Sequence, residues 1–197
     1  MAEFWDIYDK NKNKTGRVAE RDVYKFKEGE YHIVVVAVII NSKNEILITK
    51  RSATKKKEPL KWELTGGGVK AGETSLQGIL RETREEIGME FEPNNAMLLK
   101  EIRKDKVPAD FKDLWLFKKD VKIEDLKFAD GEVIDAKWVT IEEFLQIKEN
   151  NEIISTIDFG REEYDLAVEK CQPNECKKFK KNIRSQNDRF YKIRENV

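Results

Sequence analysis

The stretch GGVKAGETSLQGILRETREEIGM, residues 67–89, decides the fold of this chain. Thr74 stands three residues before Gln77, which is the spacing of a capping box, so a helix is predicted to begin there. Gly88 lies where a glycine commonly ends a helix. Between these ends, mostly apolar residues recur at three- and four-residue steps, as on a helix that faces a core. They are Leu76, Ile79, Leu80, Thr83 and Ile87, of which Thr83 is the weak member.

Three glutamates, Glu82, Glu85 and Glu86, project from about one turn of this predicted helix. Two like charges about 4 Å apart repel by roughly 4 kcal/mol at an effective dielectric near 20, so the cluster requires a strong counter-charge. Carboxylate oxygens select Mg²⁺ or Mn²⁺ over zinc, and Mg²⁺ in such sites is usually completed by water and substrate phosphate. The predicted substrate is therefore a phosphate ester or anhydride. A solvated helix face, balanced by Arg81 and Arg84, is the plainer alternative for an isolated pattern.

The fixed offsets around the glutamates favour the metal site. Five residues separate Gly67 from Glu73, and seven more lead to the pair Arg81 and Glu82. This pattern resembles the Nudix box, G-x5-E-x7-R-E-U-x-E-E-x-G-U with U a bulky apolar residue, at every charged and glycine position. The one departure is Thr83, where the family usually carries an aliphatic residue, and it bears on helix packing rather than on metal chemistry.

The resemblance implies roles and a fold. It implies four ligands for divalent ions, the last through its backbone carbonyl: Glu82, Glu85, Glu86 and Gly66. It assigns four residues to the architecture of the motif, with an ion pair between the second and third: Gly67, Glu73, Arg81 and Gly88. The implied fold belongs to the α/β class and is an α/β/α sandwich around a mixed β-sheet.

The flanking sequence supplies strands for such a sheet. The β-branched run HIVVVAVII, residues 32–40, predicts a central strand covered on both faces, and residues 45–50 are expected to return as its antiparallel partner. Further strands are predicted at 62–64, 96–104, 111–121 and 135–139. Thr140 and Glu143 repeat the capping-box spacing and predict a second helix. We expect three segments: an N-terminal hairpin at 1–29, a Nudix hydrolase domain at 30–160 and a basic helical extension at 161–197.

The last part of the chain is strongly basic. Residues 177–197 hold two acidic residues, Asp188 and Glu195, against eight basic ones: Lys177, Lys178, Lys180, Lys181, Arg184, Arg189, Lys192 and Arg194. Basic residues interleaved with aromatics are typical of an RNA-binding tail. A peripheral helix packed on the domain or on a dimer partner is favoured instead, because the whole chain is neutral.

Candidate residues for proton transfer and phosphate binding lie outside the box. In several family members an acidic residue before the last strand binds metal or acts as the base, and Glu132 is the first choice here, ahead of Asp130 and Asp135. Within the box, Glu82 or Glu85 could serve instead. Lys50 and Arg51, at a strand end, are candidates for binding substrate phosphate, with an ordinary solvated strand end as the alternative.

Composition excludes several classes of protein. The 197 residues include 38 basic and 38 acidic ones, and this balance argues against nucleic acid or a membrane as a general partner. Two cysteines, Cys171 and Cys176, and the single histidine His32 cannot build a zinc site. No run is long enough to span a bilayer and no secretory leader is visible, so cytoplasmic residence is expected. A homodimer that exchanges the N-terminal hairpin is compatible with the sequence.

Three functions are therefore considered. The first is a metal-dependent hydrolase that cleaves a diphosphate linkage in a small nucleoside diphosphate-X type substrate. The second is an enzyme like isopentenyl diphosphate isomerase, whose branch of the family the order of elements resembles. The positions of that enzyme's cysteine and a nearby histidine are Gly66 and Gly68 here, so its carbon chemistry lacks those groups. The third is a nucleotide-binding module without turnover, against which the complete set of glutamates argues.

Overall fold

One strand, β3, organises the sheet. The structure is a computed structural model that describes residues 2–106, 109–128 and 131–171. Its strands are β1 Phe4–Tyr8, β2 Lys14–Glu20, β3 Tyr31–Ile40, β4 Ile46–Arg51, β5 Trp62–Glu63, β6 Gly66–Gly68, β7 Met97–Lys104, β8 Ala109–Lys118 and β9 Val133–Val139. Its α-helices are α1 Ser75–Ile87, α2 Ile141–Glu149 and α3 Arg161–Lys170. β3 pairs with β1, β4, β6 and β8, which makes it the centre of the sheet, as predicted.

The sheet is mixed, and among the described strands β3 and β8 form a long parallel pair. Their register runs from Tyr31 opposite Ala109 to Ile40 opposite Lys118. β7 returns antiparallel to β8 along most of its length. Two parallel strands must be joined by a long crossover connection, and the connection from β3 to β8 contains α1 and β7. The box helix is therefore tied to the strands on which it packs.

The predicted pairing of β4 with β3 holds only at the turn between them. Ile40 and Ile46 are opposite each other, and β4 then pairs with β9 and β5. The edge of β3 that β4 leaves is used by β6, with Val36 opposite Gly66 and Val34 opposite Gly68. An edge of a strand accepts one partner at a time, so β6 displaces β4 there.

Helices cover both faces of the sheet. Ile79 and Ile87 of α1 pack with Val35, Ala37 and other residues of one sheet face. On the other face, α2 and α3 contribute to a second cluster that includes four fully or nearly fully buried residues, Ile141, Phe144, Phe159 and Ala167. The prediction of an α/β/α sandwich around a mixed sheet is therefore confirmed.

The ends of α1 are those that the sequence predicts. The Gln77 N–H donates to Thr74 Oγ1 (3.2 Å) and the Thr74 N–H donates to Gln77 Oε1 (2.8 Å), which completes the capping box. Gly88 has φ of 69°, the left-handed conformation that glycine adopts without strain. Thr83 is fully buried, and its hydroxyl donates to the Leu80 carbonyl (3.1 Å). The polar atom in the apolar stripe is thus satisfied inside the helix.

The remaining elements follow the predictions with shifts of a few residues at their ends. The N-terminal hairpin is β1 and β2, and α2 begins with the predicted capping box of Thr140 and Glu143. Of the predicted C-terminal extension, α3 is described, and the basic segment 177–197 lies outside the described residues, as do Cys176 and Asp130. In the described part of the chain, no helix combines the length and the apolar character that crossing a membrane requires.

Replacing Thr74 with Ala should lower the free energy of unfolding by about 1 kcal/mol, because an N-terminal donor of α1 loses its partner. Thr74→Ser keeps the oxygen and should stay within about 0.5 kcal/mol of the wild type. Urea unfolding followed by circular dichroism measures both. Equal losses in the two variants would contradict the role of the cap.

Candidate active site

The loop that precedes α1, residues 66–74, lies against both the sheet and the helix, and we call it the Nudix loop because it carries the first part of the box. Two glycines make this close approach possible. A Cβ on Gly66 would lie 2.1 Å from the Val35 carbonyl oxygen, because β6 runs directly beside β3. A Cβ on Gly67 would lie 2.5 Å from Glu82 Oε1. No side chain fits at either position without displacement, so the backbone of the loop lies directly against the Glu82 carboxylate.

Arg81 joins the loop to the helix. Its guanidinium forms a two-point ion pair with Glu73, with N–O distances of 2.8 and 3.0 Å, and donates to the Gly68 carbonyl (3.0 Å). Nη1 also contacts Glu82 Oε1 (2.7 Å) and Glu85 Oε2 (3.0 Å). Burial lowers the pKa of Arg81, but these carboxylates outweigh burial and raise it, so the side chain stays charged.

Three carboxylates near the contact between Arg81 and the loop are buried, and we call them the acidic cluster: Glu63, Glu82 and Glu86. Burial raises the pKa of Glu82, and Arg81 opposes it in part. Burial, followed by the charges of Glu63 and Glu82, raises the pKa of Glu86 well above its usual value. The Gly66 N–H donates to Glu86 Oε2 (3.1 Å). Glu85 is the more open member of the box, with 40% of its side chain exposed.

Glu63 was not predicted as a site residue, but β5 brings it close enough for its charge to act on Glu86. Burial raises the pKa of Glu63, and its Oε1 is buried with no hydrogen-bond partner among the described residues. A buried carboxylate oxygen without a partner is costly, and a cation removes that cost. The only signal in the sequence was a glutamate at the end of a strand, three residues before the glycines.

These oxygen donors fit a divalent cation such as Mg²⁺ or Mn²⁺ by their chemistry and by the unpartnered oxygen of Glu63. Across residues 2–106, 109–128 and 131–171, no three acidic, histidine or cysteine side chains are already arranged as a coordination sphere. Two of the predicted ligands, Glu82 and Glu85, instead contact the Nη1 atom of Arg81.

Glu132 lies in the electrostatic surroundings of this site. Its carboxylate contacts the Lys55 ammonium, and its charge acts on buried Glu63. The charge of Lys55 in turn acts on both Glu63 and Glu86, so Lys55 lies near the acidic cluster. Asp135, the alternative to Glu132, is exposed on β9 opposite Lys50.

The two residues predicted to bind phosphate have partners within the protein. Arg51 contacts Glu63 (2.6 Å) and donates to the carbonyls of Lys57 (2.8 Å) and Glu58 (3.1 Å). The Lys50 ammonium lies 5.4 Å from the centre of the Trp62 ring. In this arrangement Arg51 supports Glu63.

A cleft of about 90 Å³ opens beside the acidic cluster, on the sheet face that carries α2. Its lining includes Glu63, a member of the cluster, together with Gly66 and Gly67, and most of the other lining residues are aliphatic. Lys112 and Asp158 also line it. Lys112 is 5% exposed; its ammonium contacts the Asp158 carboxylate and donates to the Thr156 carbonyl (2.6 Å). Burial lowers the pKa of Lys112, against the effect of Asp158.

Four aromatic residues near the candidate site in sequence have large rings of the kind that can stack on a nucleobase: Trp62, Phe111, Trp115 and Phe128. All four belong to the packed clusters on the two faces of the sheet. His32 is also buried, stacked on Trp5 with 4.4 Å between ring centres. Burial lowers its pKa to about 4, so it is neutral at physiological pH.

The comparison with known proteins agrees with this geometry. The NUDIX domain model matches residues 30–158, which include the acidic cluster and the box. A Nudix hydrolase of Listeria innocua is 35% identical over 153 residues, covering 77% of this chain and 88% of the relative. The chain belongs to the Nudix family. It is therefore a pyrophosphohydrolase, and its box helix is a Nudix helix.

Two further comparisons bear on fold and motif. The crystal structure of DR0079 from Deinococcus radiodurans matches with a TM-score of 0.66 and 21% identity, covering 86% of this chain and all of that one. The similarity in fold is therefore broad. The CTP pyrophosphohydrolase of Escherichia coli is 43% identical over 58 residues, covering 29% of this chain and 42% of that protein. The branch of the Nudix family to which this chain belongs stays a prediction.

The raised pKa of Glu86 predicts how stability depends on pH without metal. Glu86 in the folded protein keeps a proton that the unfolded chain releases near pH 4.5, so the contribution of Glu86 to the free energy of unfolding falls as pH rises above that value. Glu86→Gln removes this contribution. Urea unfolding in chelator from pH 5 to 8 should therefore show that the free energy of unfolding of the wild type falls relative to that of the variant as pH rises. Parallel curves would contradict the assignment.

Proposed function

We propose that this Nudix protein is a Mg²⁺- or Mn²⁺-dependent hydrolase that cleaves a diphosphate linkage in a nucleoside diphosphate-X type substrate. The observation that carries the proposal is the buried cluster of Glu63, Glu82 and Glu86 beside the glycine loop. Arg51 pairs with Glu63, and Arg81 pairs with Glu82. Glu63 Oε1 nevertheless has no hydrogen-bond partner among the described residues, and burial raises the pKa of Glu86. A divalent ion would supply the further positive charge, and a diphosphate brings oxygens that complete its coordination.

Glu82, Glu85 and Glu86 would hold the metal, together with the Gly66 carbonyl. A bound divalent ion neutralises phosphate charge and lowers the pKa of coordinated water. The protein must also remove a proton from the attacking water. Glu85 suits this task among the box residues, because it is partly exposed while Glu82 and Glu86 are buried. Glu132 is the second candidate.

The cleft supports a place for the group attached to the diphosphate. Its lining includes Gly66 and Gly67, where the phosphates would lie. Most of its other lining residues are apolar, and the polar pair Lys112 and Asp158 also lines it. Apolar walls with a few convergent polar groups are typical of small-molecule sites. The Lys112 ammonium can donate a hydrogen bond and the Asp158 carboxylate can accept one. Together they complement the acceptors and donors on the edge of a nucleobase. At about 90 Å³ the cleft must widen to admit a base.

The rival functions have less support. The isomerase would need groups at Gly66 and Gly68 that are absent from this chain. A binding module without turnover would not need the complete set of Glu82, Glu85 and Glu86 with its cost of repulsion.

Glu85→Gln should reduce kcat by about 100-fold or more, because it removes both a metal ligand and the proton acceptor. Glu90→Gln makes the same charge change at an exposed residue just beyond the helix and should leave the rate within twofold of the wild type. The assay is phosphate or monophosphate release from ADP-ribose, dinucleoside polyphosphates and nucleoside triphosphates, with Mg²⁺, Mn²⁺ or chelator. An active Glu85→Gln protein, or turnover in chelator, would refute the metal assignment.

Lys112→Met should raise KM about tenfold for the best nucleotide substrate, because the cleft loses a hydrogen-bond donor. It should leave kcat/KM for methyl triphosphate, which has no base, unchanged. Lys100→Met removes a lysine that pairs on the surface with Glu162 and Glu163, and serves as the control. An unchanged KM for every nucleotide would exclude Lys112 from substrate recognition.

A further inference from the structure

The N-terminal hairpin contacts the Nudix loop and accepts hydrogen bonds from two of its backbone N–H groups. The Ala71 N–H donates to the Phe4 carbonyl (2.7 Å), and the Gly72 N–H donates to Asp6 Oδ2 (2.9 Å). The preceding N–H, that of Lys70, donates within the loop to Glu73 (3.0 Å). Two of three successive donors in the loop are therefore satisfied by β1, which lies more than sixty residues away in the chain.

Asp6 is well suited to hold this part of the loop. Its carboxylate also pairs with Lys14 of β2 at 2.6 Å. Burial raises the pKa of Asp6, but the bonds from Lys14 and Gly72 outweigh burial and lower it. Asp6 is therefore an ionised acceptor at neutral pH, and hydrogen bonds to ionised acceptors are the stronger ones.

Trp5 makes a third contact, with Gly68. A Cβ at Gly68 would lie 2.5 Å from Trp5 Nε1, so this position is a glycine because the indole occupies the space. Trp5 is fixed from behind by the rings of His32 and Phe26. Among the described residues its buried Nε1 has no hydrogen-bond partner, so the indole contacts Gly68 by van der Waals packing and not by a hydrogen bond.

The loop is thus held from two sides. Arg81 binds the Gly68 carbonyl and Glu73 from the helix, and the hairpin binds residues 68–72 from the sheet. Glu3 of the hairpin is also close enough for its charge to act on Glu82.

We propose that the N-terminal hairpin positions the Nudix loop against the catalytic helix, with Asp6 and Trp5 as positioning residues for the hydrolysis. The proposal rests on the proposed function for its catalytic part. The hairpin lies outside residues 30–158, which match the family model, so the motif alone does not account for it.

Hydrogen exchange tests the contact without any substrate. In the full chain, Asp6→Ala should speed amide exchange in a peptide covering residues 66–74, because the Gly72 N–H loses its acceptor. Asp6→Asn keeps an oxygen and should exchange more slowly than Asp6→Ala. Glu20→Ala, at an exposed position of the same hairpin, should match the wild type. Unchanged exchange in folded Asp6→Ala would overturn the proposal.

Kinetics test the catalytic consequence. Asp6→Ala and Trp5→Ala should lower kcat about tenfold or more while KM for the substrate changes less than twofold, since a misplaced loop impairs chemistry more than binding. Asp6→Asn and Trp5→Phe should recover most of the rate. Faster exchange with wild-type kcat would show that the contact has no catalytic role and would overturn the positioning claim.

A wild-type protein that hydrolyses nothing would refute the proposed function, and the exchange measurement would still decide whether the hairpin holds the loop. Thermal melting of each variant identifies any that fails to fold. If Asp6→Ala does not fold, the comparison passes to Trp5→Ala against Trp5→Phe, for which equal exchange and equal kcat would overturn the proposal.

Discussion

The guanidinium of Arg81 is the contact on which the site depends. It holds Glu73 and the Gly68 carbonyl on the loop, and Glu82 and Glu85 on the helix. A planar fork of five donors can serve several acceptors in fixed directions, which a lysine ammonium cannot do. It also supplies positive charge beside buried carboxylates that would otherwise repel each other. Loop geometry and the placement of the acidic groups therefore have a common cause.

The glycines of the loop show how closely this region is packed. Gly66 lies against the backbone of β3, Gly67 against Glu82 and Gly68 against Trp5, so each lacks space for a Cβ for a different reason. Sheet, helix and hairpin meet at three successive residues. A site held from several sides keeps its groups in place before the substrate arrives, which is what positioning for catalysis requires.

Local patterns explain what the sequence could predict. The ends of α1 depend on residues three or four apart, so Thr74, Gln77 and Gly88 were sufficient to locate them. The sequence could not predict contacts between distant segments. Glu63 and Lys112 look like ordinary charged residues of strands, and only the pairing of β5 with β4 and of β8 with β3 brings them to the site. The pairing of β4 with β9 was not predicted for the same reason. The burial pattern of a strand does not indicate which strand pairs with it.

The central claim is that the Nudix helix and loop hold a divalent ion on which hydrolysis depends. Its most direct test is a crystal structure of the protein with Mn²⁺ and a non-hydrolysable diphosphate analogue, with anomalous data collected for manganese. The account predicts an anomalous peak within bonding distance of oxygens from Glu82 and Glu86. A peak elsewhere, or an ordered analogue with no manganese beside these residues, would contradict it.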